Sequence, residues 1–171
     1  MFKYLKLKNK KGFSTIEVLA TALVFSIAAV AIAGITAKSL QLQRRATATQ
    51  KIQENAMFVL EYMAREIRLS SIRNQDSNCA TTVLNLTHPV SGAVSYNIVN
   101  GTVIRTANGF SENLSSNDIQ FSRMVFCIRG SPLGDNQPTR ITILTTISDR
   151  SPSTLASINL QTTITTRVIA N

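Results

Sequence analysis

The sequence predicts an α+β protein: one long N-terminal helix whose outer half packs on an antiparallel β-sheet formed by the rest of the chain. Three observations lead there. No charged side chain lies between Val18 and Ile35. From Ile52 to Ile67 the apolar residues recur every three or four positions, which places them on one side of a helix. From Thr81 onward the period changes to two, the spacing of half-buried strands.

Residues 1–12 are short and basic, with Lys3, Lys6, Lys8, Lys10 and Lys11. They read as a leader and are set apart from the fold. Residues 13–37 form the apolar half of the helix, long enough to cross a bilayer core of about 20 residues. The lysines before it keep the N-terminus cytoplasmic and direct the C-terminal bulk outward. Glu17 is the only charge in this segment. A carboxylate among apolar residues is costly in lipid and calls for a partner, so Glu17 is a candidate functional residue. Gly34 marks a candidate point of unwinding.

Residues 38–73 contain neither Pro nor Gly and extend the helix as an amphipathic segment. Its stripe is Ile52, Ala56, Val59, Leu60, Met63 and Ile67, and the other side carries Lys51, Glu54, Arg65 and Arg68. Glu61 and Arg65 stand four apart in the favourable order. A helix from Phe13 to Arg73 would be on the order of 90 Å long. The stripe has to bury itself against residues 74–171, the head domain.

In the head, Val94, Tyr96 and Ile98 alternate with polar residues, and Val103, Arg105 and Ala107 follow Asn100-Gly101. Asn-Gly between two such runs marks a tight hairpin. Ile119–Ile128 reads as a longer strand with Phe121, Arg123, Val125 and Cys127 on one side. A loop over 131–138 leads to a strand with Ile141, Ile143, Thr145 and Ile147 facing one way. A second loop covers 149–154. The last strand, at a sheet edge, aligns Ile158, Leu160, Thr162 and Ile164.

The formal charge of +9 overstates the basicity of the head. Five of the 18 Lys and Arg belong to the leader, leaving thirteen against 9 acids, or +4. The basic pI therefore reports membrane topology more than a nucleic-acid surface. Arg105, Arg129 and Arg140 are the candidates for a convergent basic patch, but few aromatics accompany them, and a solvated basic face is the favoured reading over DNA binding. Cys79 and Cys127 fall on the outward side, where two cysteines read as one disulfide rather than two separate thiols. That bridge would close a loop of 49 residues, for which the chain-entropy model gives roughly 4 kcal/mol.

Little in the sequence resembles catalytic machinery. His88 is the only histidine, beside Pro89 in a turn pattern, and cannot complete a zinc site with two bonded cysteines. There is no Gly-rich phosphate loop and no pair of acids in an apolar setting. The expectation is a protein that is not an enzyme and needs no cofactor or metal.

Gly12-Phe13-Ser14-Thr15-Ile16-Glu17, behind a basic leader and before an apolar helix, resembles the processing site of type IV prepilins. The resemblance implies the pilin fold, cleavage between Gly12 and Phe13 by a prepilin peptidase, and N-methylation of Phe13. It also implies that Glu17 meets the Phe13 ammonium of a neighbouring subunit. Residues 60–68 (Leu-Glu-Tyr-Met-Ala-Arg-Glu-Ile-Arg) resemble the corresponding helix of W-type minor pilins and of J-type pseudopilins of type II secretion. Residues 158–167 resemble the ends of that group more weakly. Many major pilins carry a proline near the position of Gly34, and this chain does not.

The function so implied is that of a minor pilin, a structural subunit that starts assembly at a filament tip. Its partners would be other pilin subunits, the prepilin peptidase, the inner-membrane assembly machinery and the membrane itself. Before assembly it would be a single-pass inner-membrane protein, and afterwards part of a surface pilus or periplasmic pseudopilus. A secretion pseudopilin, a DNA-uptake pilin and a major pilin are the alternatives within the resemblance. Two plainer readings also exist: a secretory signal peptide cut before Gly34, which an acidic residue beside the apolar run argues against, and a plain membrane anchor with Glu17 incidental.

Overall fold

The computed structural model describes residues 12–134, 136–150 and 156–169. The leader lysines and most of the 149–154 loop lie outside them. Helix α1 runs Thr15–Leu69, 55 residues without a break. The Ser14 carbonyl accepts from Glu17 N at 3.0 Å and Val18 N at 3.2 Å, which starts the helix two residues after Phe13. Gly34 remains helical and does not unwind.

The helix stops at Leu69, four residues short of the expected Arg73. Ser70 ends it: its Oγ donates back to the Glu66 carbonyl at 2.6 Å, and its N–H bonds the Ile67 carbonyl at 3.2 Å in a tightened last turn. Ser71 then leaves the helix axis and pairs with Thr87 in an antiparallel bridge.

Seven strands follow: β1 (Leu84–His88), β2 (Gly92–Val99), β3 (Thr102–Ala107), β4 (Phe110–Asn113), β5 (Ile119–Arg129), β6 (Pro138–Asp149) and β7 (Ser157–Ile169). Pairing is antiparallel throughout, but the strands form two sheets, β1-β2-β3-β4 and β5-β6-β7. The expected Asn100-Gly101 hairpin is present: Val99 faces Thr102, and both turn residues have positive φ, 51° and 77°. Asn108-Gly109 makes a second such turn into β4, with φ of 51° and 81°. As expected, β7 lies at an edge.

One face assignment changes. Phe121 pairs with Ile147 while Arg123 pairs with Thr146, so Ser122 is an extra residue, a β-bulge. The bulge inverts the alternation beyond it. Ile119 and Phe121 therefore share the core side with Met124, Phe126 and Ile128, all buried, and Arg123, Val125 and Cys127 take the opposite side. The inward residues of β6 are Ile141, Ile143, Thr145 and Ile147, as the sequence indicates.

Within residues 44–169 the helix buries Ala48, Ile52, Ala56, Val59, Met63 and Ile67 in the core shared by both sheets. Burying each large apolar side chain contributes about 1.5–3 kcal/mol. The segment after the helix binds both sheets together. Ser71 bridges to β1, Ser77 N donates to the Ile128 carbonyl at 3.0 Å, and Phe126 N donates to the Thr81 carbonyl at 2.8 Å. Cys79 and Cys127 form a disulfide that fixes this segment beside β5.

Candidate functional site

The N-terminal segment comes first. Glu17 sits in the first turn of α1, where the helix dipole favours a negative charge. Its carboxylate has no partner among the described residues. With Ala20, Thr21, Val24, Phe25 and Ala28 it lines a shallow groove along one helix face, at the steps of three and four that a helix imposes. The other apolar side chains of this half are exposed, Phe13 at 78 %. Three of its hydroxyls are satisfied within the helix: Thr21 donates to the Val18 carbonyl, Ser26 to Ala22 and Thr36 to Ile32. That leaves no donor of these side chains unmet, the condition for polar residues at membrane depth. The helix is long and apolar enough to cross a membrane. Gly12, Phe13 and Ser14 lie outside the helix as a short non-helical lead-in.

The second arrangement holds the head to its helix, and the sequence reading missed its centre. Glu66 lies on the buried side of α1, three residues after Met63. It faces Tyr96 and Arg105, which are direct partners across the β2–β3 hairpin. The Tyr96 hydroxyl donates to Glu66 Oε2. Arg105 Nε donates to the same oxygen at 2.9 Å, and Nη2 donates to Oε1 at 2.6 Å, a two-point clamp. Arg105 Nη1 reaches Glu112 of β4 at 2.9 Å, and its guanidinium lies 6.0 Å from the Tyr62 ring centre.

Burial alone would push the Glu66 carboxyl upward, but the bonds from Arg105 and Tyr96 outweigh it and hold the group below the usual carboxylate range. Burial, reinforced by the Glu66 charge, raises Tyr96 well above an ordinary phenol. A sequence signal for this site existed: Glu66 continues the stripe Val59, Met63 as an acid on an apolar face. A buried acid there demands a cation, and Arg105 is the inward-facing one on the strand after the hairpin.

The three candidate arginines, Arg105, Arg129 and Arg140, do not converge on one patch. Arg105 is committed to Glu66 and Glu112 in the four-stranded sheet. Arg129 and Arg140 face each other across β5 and β6 in the other sheet, and Arg129 also reaches Asn78 Oδ1 at 3.4 Å. His88 organises a turn: its Nδ1 accepts from Val90 N at 3.3 Å and Ser91 N at 3.1 Å. Cys79 and Cys127 are brought together as the sequence suggested. The exposed Glu61–Arg65 pair also forms, at 2.5 Å.

No family model, curated protein or solved structure matches the chain.

Proposed function

We propose that the chain is a type IV pilin-like structural subunit in the minor pilin role, cleaved between Gly12 and Phe13 and assembled through the first half of α1. The observation that carries this reading is Glu17: a carboxylate without a partner among the described residues, five positions into the segment that begins at Phe13, on an apolar helix face exposed along its length. Cleavage before Phe13 would create an ammonium close in sequence to that carboxylate. Between staggered copies, the ammonium of one subunit reaches the Glu17 of the next. The exchange offsets the cost of a charge in an apolar setting and buries the exposed Leu, Val, Ile and Phe side chains. The small residues Ala20, Thr21 and Ala28 in the groove let a second helix approach closely.

The head completes the subunit. Its clamp and disulfide keep it folded outside the membrane, independent of the assembly event.

The test is Glu17→Ala in the native host. Processing at Gly12 should continue at the normal level, while the subunit's recovery in sheared filaments should fall by about tenfold or more, a difference on the order of 1.4 kcal/mol or greater per subunit. Normal recovery in filaments would contradict the proposal.

A further inference from the structure

The outer face of the four-stranded sheet carries a groove of about 480 Å³, within the range of small-ligand sites. One wall is the segment after the helix, from Ser71 to Gln75; the other is the Asn108-Gly109 turn; the floor is β1, β2 and β3. Both walls are fixed. Gln75 donates to the Asn85 carbonyl at 2.6 Å and accepts from the Asn85 N–H at 3.1 Å. Asn74 N donates to the Ser131 carbonyl at 2.9 Å. The opposite turn has both residues at positive φ, a tight hairpin geometry.

Five side chains in this groove, Arg73, Asn85, Thr87, Ser95 and Asn108, have no hydrogen-bond or ionic partner among the described residues. They offer hydroxyls, amides and one guanidinium. No carboxylate and no aromatic ring lines the groove. Of its apolar members, Ala93 is exposed on the floor, while Leu86 and Val94 bury their side chains on the far side of the sheet.

We propose that this groove binds an acidic saccharide, a hydroxyl-rich ligand carrying one carboxylate. Arg73 pairs the carboxylate, since a planar guanidinium matches it with two parallel bonds. Asn85, Thr87, Ser95 and Asn108 supply donors and acceptors for ring hydroxyls. A peptide is the poorer fit, because its side chains would find only the Ala93 methyl for apolar contact, and a nucleic acid strand would find no ring to stack on. The site lies wholly within residues 71–109, so its test is independent of the assembly reading.

The full chain in detergent micelles should be titrated with methyl galacturonoside, which carries one carboxylate, with its methyl ester, and with trialanine, by ligand-observed NMR or calorimetry. The acid should bind saturably, and the ester, which keeps the hydroxyls and loses the charge, about tenfold more weakly. Arg73→Gln should weaken the acid by about the same factor and leave the ester unchanged. Ser95→Leu should block both by filling the floor. Arg73 is exposed and unpartnered, so an unchanged melting temperature is expected for its variant. The proposal is overturned if the acid does not bind, if acid and ester bind alike, if Arg73→Gln leaves acid binding intact, or if trialanine binds as tightly as the sugar.

Discussion

Between Ile16 and Ile35, helix α1 exposes its large apolar side chains at 54 to 75 %. Between Ile52 and Ile67, the same helix buries Ile52, Val59, Met63 and Ile67 completely. The backbone is continuous, so the contrast lies in where each half finds cover. The outer half finds it in its own chain, in two sheets and an ion-pair clamp. Among the described residues of its own unit, 12–43, the inner half finds none. At roughly 1.5–3 kcal/mol for each large side chain taken from water, that surface has to be covered by lipid or by other chains. Within residues 44–169, by contrast, the stripe is covered by the two sheets.

The sharpest way to break the comparison is to mutate one half and measure the other. Arg105→Ala strips Glu66 of its cation inside the core and should lower head stability by about 3–5 kcal/mol in denaturant unfolding. Val24→Ala, in the inner half, should leave the same unfolding midpoint unchanged. A loss of comparable size from Val24→Ala would mean that the halves are one stability unit.

Cys79→Ser comes next. Under oxidising conditions it should cost about 4 kcal/mol, and after reduction of both proteins the difference should disappear. A loss that persists in reductant would assign the effect to packing rather than to the bridge.

pH acts on the head through the clamp. Glu66 is held below its ordinary value of 4.5, so its contribution is fully present above that value and is lost as pH falls below it. Tyr96 is raised above its ordinary 10.0, so its contribution is present below pH 10.0 and is lost as pH rises beyond it. Stability should form a plateau between these limits. In Glu66→Gln the acid-side decline should flatten. An unaltered acid limb in that variant would remove Glu66 from the account.

Smallest is Glu61→Ala. Its ion pair with Arg65 is exposed at 62 % and 75 %, and such pairs contribute only about 0.3–0.5 kcal/mol. A larger change in the unfolding midpoint would show that this helix surface is covered in the folded head.

Much of this was legible in the residues. The stripe from Ile52 to Ile67, the Asn100-Gly101 turn and the alternation of β6 are local patterns, and each maps onto the structure. What escaped depends on longer range or on an interruption of pattern. Ser122 shifts a register, and no propensity signals a bulge in an otherwise regular strand. β1 is short, with an apolar face of only Leu84 and Leu86, and β4 is exposed throughout and has no apolar face to advertise it, although Asn108-Gly109 marked the turn into β4. The division into two sheets follows from the turn at 114–118, which alternation cannot forecast. Glu66 was missed because an acid on a helix reads as solvated, although its place on the stripe with Val59 and Met63 marked it. The groove around Arg73 joins a loop to three strands and has no counterpart in sequence spacing.

We propose that the inner half of α1 becomes a surface between subunits once the basic leader is removed. Mass spectrometry of the protein recovered from its native host tests it directly. The account predicts a chain beginning at Phe13, heavier by one methyl group. A chain that still begins at Met1, or one that begins at Gly34 without the apolar helix, would contradict it.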